Sequence, residues 1–524
     1  MSHQPVRSGP PTGRLDALHG RIGGGMLALL PFLILAGWHW SYQPLVSTTD
    51  YAQYLLHAAA LLDGKAYADI GYIYTSYNPF IGPRAEPPGL PLTLYPLLLL
   101  FGRSLFAAKM LMVVSAAAFL LLARRYFATR EGEVIGAGVA LLTGASLELA
   151  YATNAPMSDL GFCALVWGII LLADKEGVWT AGRVAAIAAL GVGAFLYRLA
   201  AAPLIPAMML YGVLHFRRTR FHPALAVILW GGLLLALLGA GGASSSEAAA
   251  GNATRGGFGA MQHLRSAMGH IVTYRLGVFQ SHLYPFPWKA ADAAYHVASV
   301  VVMLAGLAEW LRRAATRFVA IFCGVYLALL LSIVQLDMRY AWPLFPLFAF
   351  GLLNGLRLLY GWARARTQRA SDGGKASSWA LITACVIVAL AIGSHAASPR
   401  PASYLDLEDV RAVFGRLRQT GSPRSLRVVF SNPRVLTWET GIPSMGLFEA
   451  TPDAAIAELR RKGITHVILG DLGESPRTER AMAAVVATHP ELFAPEYTNA
   501  SFRMYRFDGG SPPVDRPAAV EPRS

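Results

Sequence analysis

A chain of 524 residues with 54% hydrophobic and 15% charged positions cannot be one soluble domain, because apolar runs of membrane-span length recur through it. The net charge of +14 would suit nucleic acid in a soluble protein. Here the Arg and Lys residues fall in short stretches between apolar runs, where they orient a membrane protein, so no nucleic-acid partner is expected.

Residues 1–23 carry Arg7, Arg14 and Arg21 ahead of a long apolar run, which reads as a cytoplasmic N-terminus followed by an uncleaved anchor. Apolar runs near 24–43, 105–123, 133–151, 158–173, 184–197, 200–216, 223–241, 293–311, 317–334, 341–360 and 378–397 follow. They predict a polytopic all-α membrane domain over 24–397, with about 11–13 helices. Arg124, Arg125, Arg130, Lys175, Arg183, Arg217, Arg218, Arg220, Arg312, Arg313, Arg317, Arg364, Arg366, Arg369 and Lys375 then share the N-terminal side, which the positive-inside rule makes cytoplasmic. The opposite, periplasmic side receives a first loop at 43–102, a second at 242–292, and everything after 398. Cys163, Cys323 and Cys385 lie in apolar runs without metal-type spacing and read as buried thiols.

In the first loop, apolar residues at Tyr51, Tyr54, Leu55, Ala58, Leu61 and Leu62 predict a helix lying on the bilayer surface, with Thr48, Thr49 or Asp50 as N-cap and Gly64 as stop. Glu86-Pro87-Pro88-Gly89 leads into Leu90–Phe101, a run shorter than the ~20 residues that cross a bilayer, hence an interfacial or re-entrant helix. From 398 to 510 the composition turns soluble. Helices at 405–417, 452–462 and 476–488, strands at 426–430 and 465–469 and an edge strand at 501–507 predict a small α/β periplasmic domain, with 511–524 a disordered tail.

Thr49-Asp50-Tyr51 just past the first span, Leu61-Leu62-Asp63-Gly64 with Tyr67, and Pro87-Pro88-Gly89-Leu90 resemble the first external loop of the membrane-embedded GT-C glycosyltransferases. Asp337-Met338-Arg339-Tyr340-Ala341-Trp342-Pro343-Leu344-Phe345-Pro346 is similar to that family's Arg-Tyr-x-x-Pro-x-x-Pro signature. The nearest group contains the protein O-mannosyltransferases, the lipid A aminoarabinose transferase and the lipopolysaccharide galacturonosyltransferases.

The resemblance implies a polyprenyl-phosphate sugar donor, a lipid, glycan or protein acceptor, and no nucleotide cofactor. It makes Asp50 the general base, although Asp50 equally suits a helix cap, and many members have two adjacent acids where this chain has Asp50-Tyr51. It assigns the donor phosphate to Arg275, Arg339 and Tyr340, with lipid-interface anchoring the plainer reading of Tyr340; Arg198, set between two apolar runs, joins them as an arginine that an anion would explain, with snorkelling its plainer reading. It leaves room for one divalent ion on Asp159, His270 and Glu86, where Asp159 also fits as an N-cap and His270 as a surface hydrogen-bonder. The expected protein is an inverting glycosyltransferase of a bacterial inner membrane, working at the periplasmic face. The rival is a transporter or flippase of lipid-linked glycans, which would place paired charges at mid-membrane.

Overall fold

The computed structural model describes residues 13–40, 50–75, 77, 86–220, 223–239, 289–332, 338–366, 373–397, 407–422, 425–447, 450–470 and 476–509. His270, Arg275 and the expected tail lie outside them.

Helices dominate the first four hundred residues: α1 (Gly13–Trp38), α2 (Asp50–Leu62), α3 (Gly89–Phe101), α4 (Leu105–Glu131), α5 (Glu133–Gly144), α6 (Leu147–Ala152), α7 (Ser158–Ala173), α8 (Ala181–Tyr197) and α9 (Leu204–Leu214). After the short α10 (Phe216–Thr219) come α11 (Pro223–Gly239), α12 (Lys289–Ala314), α13 (Phe318–Ser332), α14 (Phe345–Arg366) and α15 (Gly373–Ala397). Among the described residues, Leu105–Glu131 and Arg339–Arg366 are long and apolar enough to cross a bilayer, and shorter apolar helices surround them. Leu99, Leu100, Val213, Val227, Trp230 and Val297 stand exposed on this helical body, a surface suited to lipid contact.

Helix α7 is the axis. Its residues are almost all buried, and its two ends carry different polar clusters. At the C-terminal end Asp174 accepts from the Tyr126 hydroxyl at 2.8 Å and from the backbone N–H groups of Phe318 and Val319 at 2.6 and 3.2 Å, so one carboxylate caps α13 and ties it to α4. Arg313 and Arg317 pair with Glu131 at the same end. Asp159 marks the other end of α7, roughly 20 Å away by helical rise.

Helices α12 and α14 approach so closely that a Cβ on Gly306 would overlap the Gly351 carbonyl oxygen, and one on Gly355 would overlap that of Val302. The Asn354 side chain donates to the Gly306 carbonyl at 2.8 Å inside this seam. Cys163 and Cys323 are buried as expected, but Cys385 is exposed. An apolar run does not say which face of a helix meets protein and which meets lipid, and Cys385 lies on the outward face of α15.

The C-terminal part holds α16 (Glu408–Thr420), β1 (Val428–Val429), α17 (Pro433–Thr440), β2 (Ser444–Met445), α18 (Pro452–Arg461), β3 (His466–Leu469), α19 (Pro476–Thr488), β4 (Phe493–Thr498) and β5 (Arg503–Phe507). The strands run in the order β2-β1-β3-β5-β4. β1 is parallel to β2 and β3, while β5 is antiparallel to β3 and β4. The segment expected as an edge strand is therefore interior. The edge on that side is β4, whose Pro495 suits a position with a free side.

The first loop docks on this sheet. Ile73 N–H donates to the Ser444 carbonyl at 2.8 Å and Ser444 N–H to that of Gly71 at 3.1 Å, which adds Tyr72 beside β2. Helix α2 was expected to lie on a bilayer with one face open. Instead, Tyr51 through Ala60 are all buried, because α3 covers one side and α17 packs on another.

Alanine at Gly306 tests the α12–α14 seam. Helix propensity alone would favour it by about 1 kcal/mol, whereas forcing a methyl into a filled interface costs about 1–3 kcal/mol. Gly306→Ala is expected to lower the melting temperature of the detergent-solubilised protein, and a higher melting temperature would show the seam to be loose.

Candidate active site

Three parts of the chain meet at Asp50. It opens α2, and both of its oxygens are held by guanidinium groups: Arg339 Nη2 bonds Oδ2 at 3.1 Å and Arg434 Nη1 bonds Oδ1 at 3.3 Å. Arg339 comes from the 3-10 turn Met338–Leu344, which is fastened by Trp167 Nε1 donating to the Pro343 carbonyl at 2.9 Å and the Tyr326 hydroxyl donating to that of Tyr340 at 2.8 Å. Arg434 comes from α17, which Pro433 starts and Gly441, at φ 73°, stops. The Asp50 side chain keeps 32% of its surface open, whereas Arg434 is fully enclosed. Enclosure by protein would raise the Asp50 pKa, but Arg339 and then Arg434 overcome that and hold the carboxyl below its usual range.

Arg198 sits where the chain breaks between α8 and the 3-10 turn Leu199–Ala201. Its guanidinium pairs with Asp159 and lies 4.9 Å from the Tyr340 ring centroid; that of Arg339 lies 5.6 Å from the same ring. Gly89 makes this corner possible, since a Cβ there would meet Tyr197 Cδ2 at 2.6 Å and the Leu196 carbonyl carbon at 2.7 Å. The Thr93 and Tyr197 hydroxyls, 2.8 Å apart, close the contact.

Glu86 completes the cluster. Its backbone is clamped: its N–H donates to His57 Nε2 at 3.2 Å, and its carbonyl accepts from the Tyr67 hydroxyl at 2.7 Å. His57 Nδ1 in turn donates to the Tyr67 carbonyl at 2.7 Å, and the two rings stack at 4.3 Å. Both His57 nitrogens are thereby assigned to a neutral ring. Burial pushes its pKa down to about 4, which fits. Glu86 Oε2 receives a long bond from the Tyr54 hydroxyl at 3.5 Å, and that hydroxyl is 3.0 Å from Ser158 Oγ. Burial, then the Asp50 charge, pushes the Glu86 carboxyl up to about 7.

The structure thus brings together Asp50, Arg339, Tyr340, Arg198, Asp159 and Glu86 from the expected set. The expected metal set is described only in part, since His270 lies outside the described residues. Among the described residues no three His, Cys, Asp or Glu side chains converge, and Arg198 already faces Asp159 with a positive charge. Arg434 was not expected, although Asn432-Pro433 ahead of a helix and Gly441 behind it are readable signals. What those signals could not give is that α17 docks on α2.

No family model and no curated protein matches the chain. Solved structures do. ArnT from Cupriavidus metallidurans bound to undecaprenyl phosphate is similar with a TM-score of 0.52 and 12% identity, over 94% of this chain and 98% of that one. The oligosaccharyltransferase of Archaeoglobus fulgidus in its apo form is similar with a TM-score of 0.54 and 13% identity, over 93% of this chain and 74% of that one. Its complex with Zn and sulfate gives a TM-score of 0.52 at 12% identity, over 91% and 72%. Both proteins are GT-C glycosyltransferases, and the fold of this chain is the GT-C fold.

The Glu86 proton gives a pH test. The folded state binds it up to about pH 7 and the unfolded chain only to about 4.5, so its contribution to stability is complete below 4.5 and is lost as pH rises through 7. His57 works in the opposite sense, losing its contribution as pH falls from 6.5 toward 4, so the window above 6.5 isolates Glu86. Between pH 6.5 and 8 wild type is expected to lose on the order of 1 kcal/mol through this group. Glu86→Gln should flatten that slope in thermal melts, and an unchanged slope would show that Glu86 is ionised throughout.

Proposed function

We propose that this chain is a membrane glycosyltransferase that moves a sugar from a polyprenyl-phosphate donor to a hydroxyl of an envelope acceptor (lipid, glycan or protein), with Asp50 as general base. The reaction is placed at the periplasmic face of a bacterial inner membrane, with the N-terminus cytoplasmic. The Arg-rich helix ends around Glu131, Arg313 and Arg317 support that orientation, because they gather at the end of the bundle remote from Asp50. The single observation that carries the reading is a partly open carboxylate between two arginines, in a fold whose solved examples include one bound to undecaprenyl phosphate.

Asp50 accepts the proton of the acceptor hydroxyl while that oxygen bonds to the anomeric carbon. The bond from that carbon to the phosphate oxygen breaks and its electron pair stays on the phosphate, which Arg339, Tyr340 and Arg198 would receive. Attack from the face opposite the leaving group inverts the anomeric centre. In the resting arrangement Asp50 is ionised but its basicity is damped by both arginines. A donor phosphate that draws Arg339 away raises the affinity of Asp50 for a proton at the moment a proton must be taken.

Asp50→Asn keeps the shape and removes the base. Transfer of labelled sugar from the lipid-linked donor is expected to fall by roughly a hundredfold or more in protein that remains folded, and the melting temperature to fall as well, because the buried Arg434 loses its counter-charge. Wild-type rates in the variant would remove this mechanism.

A further inference from the structure

Arg434 is a buried guanidinium with most of its donors unused. Its side chain has no exposure, and Nη1 reaches Asp50, but Nε and Nη2 are buried without a hydrogen-bond partner among the described residues. Beside it lies Tyr72, whose ring centroid is 5.3 Å from the guanidinium carbon and whose hydroxyl is also buried without a partner. Two groups from distant parts of the chain, one fixed by α17 and the other by its bridge to β2, leave donors unpaired at one place.

Burying a fork of N–H donors and using one arm of it is unfavourable unless something fills the rest. Water could satisfy the hydrogen bonds but not the charge. Arg434 shares the single negative charge of Asp50 with Arg339, which leaves an excess of positive charge at Arg434, while Arg198 faces Asp159. Glu86 also faces this group, and with its carboxyl at about 7 it offsets only part of the excess.

We propose that Arg434 and Tyr72 form a buried anion site between the first loop and α17, which takes a phosphate or carboxylate group of a substrate. This deepens the glycosyltransferase reading and rests on it for the word substrate. The anion would receive Nε–H and Nη2–H from the guanidinium fork and O–H from the tyrosine, a donor set suited to two oxygens of one group. Such a group can belong to the donor, as its lipid phosphate, or to the acceptor, as an acidic substituent near the hydroxyl that is glycosylated.

The test is binding without turnover, on the full chain in detergent or nanodiscs, with inorganic phosphate and undecaprenyl phosphate as probes. Arg434→Gln is expected to weaken inorganic phosphate binding roughly ten- to a hundredfold, and Arg434→Lys to recover part of that loss. Tyr72→Phe removes one oxygen and should weaken binding by roughly threefold to tenfold, which keeps the test decisive if Arg434→Gln fails to fold. If undecaprenyl phosphate binding falls in parallel, the site serves the donor. If it stays at the wild-type value while inorganic phosphate binding is lost, the site serves an acidic acceptor. Equal phosphate binding by wild type and the variants, or none by wild type, overturns the proposal. Because no sugar is transferred, failure of Asp50 as a base would leave these results readable.

Discussion

The arrangement turns on one carboxylate shared by two arginines. Asp50 opens a loop helix, Arg339 belongs to the turn at the head of α14, and Arg434 belongs to a helix of the C-terminal part. An ion pair between exposed side chains adds little to stability. Here Arg434 is fully enclosed, so removing Asp50 would strand a buried charge. The same contact that assembles the site therefore also locks the C-terminal part onto the membrane-side helices, and the geometry of the site depends on that docking.

Docking is distributed over backbone as well as charge. Tyr72 extends the sheet through two hydrogen bonds beside β2, and Thr437 Oγ1, 2.8 Å from Ser444 Oγ and donating to the Ile442 carbonyl at 3.0 Å, fixes α17 against that strand. On the other side His57, Tyr67 and Glu86 form a closed ring of hydrogen bonds that shapes the loop without using any ionised group. Neutral pairs set the frame, and the charges inside it stay available for chemistry. That division accounts for a histidine buried beside a catalytic candidate with both nitrogens committed to backbone atoms.

Much of this was legible in the sequence, for physical reasons that differ by segment. Helix α2 showed its period and its Gly64 stop, and the break at Tyr197-Arg198 interrupted an otherwise continuous apolar stretch. The motif around Arg339 and Tyr340 carries its meaning in local residue types, so a resemblance could locate it. Helix α17 is different: eight residues of mixed character announce a helix by Pro433 and Gly441 but say nothing of its neighbour. Likewise the burial of α2 on more than one face comes from α3 and from α17, the latter a contact between residues hundreds of positions apart. Period and capping are local, whereas the partner of a face is not. The exposure of Cys385 and the interior place of β5 were misread for that same reason.

The positions of the two arginines relative to Asp50 also bear on how the site could separate its substrates. Arg339 approaches from the turn fastened by Trp167 and Tyr326, on the side of the helical bundle, while Arg434 approaches from the C-terminal part. In the proposed reaction a lipid carrier would reach the site from the bundle and a bulky acceptor from outside it, so Asp50, lying between the two arginines, could address both. The inverting displacement proposed above would require that division, since nucleophile and leaving group occupy opposite faces of the anomeric carbon. A site built wholly within the helical bundle would have to admit both substrates through lipid. One completed by a separate sheet and helix could take its second substrate from the aqueous side, and a third of the Asp50 side chain is still open between the two arginines.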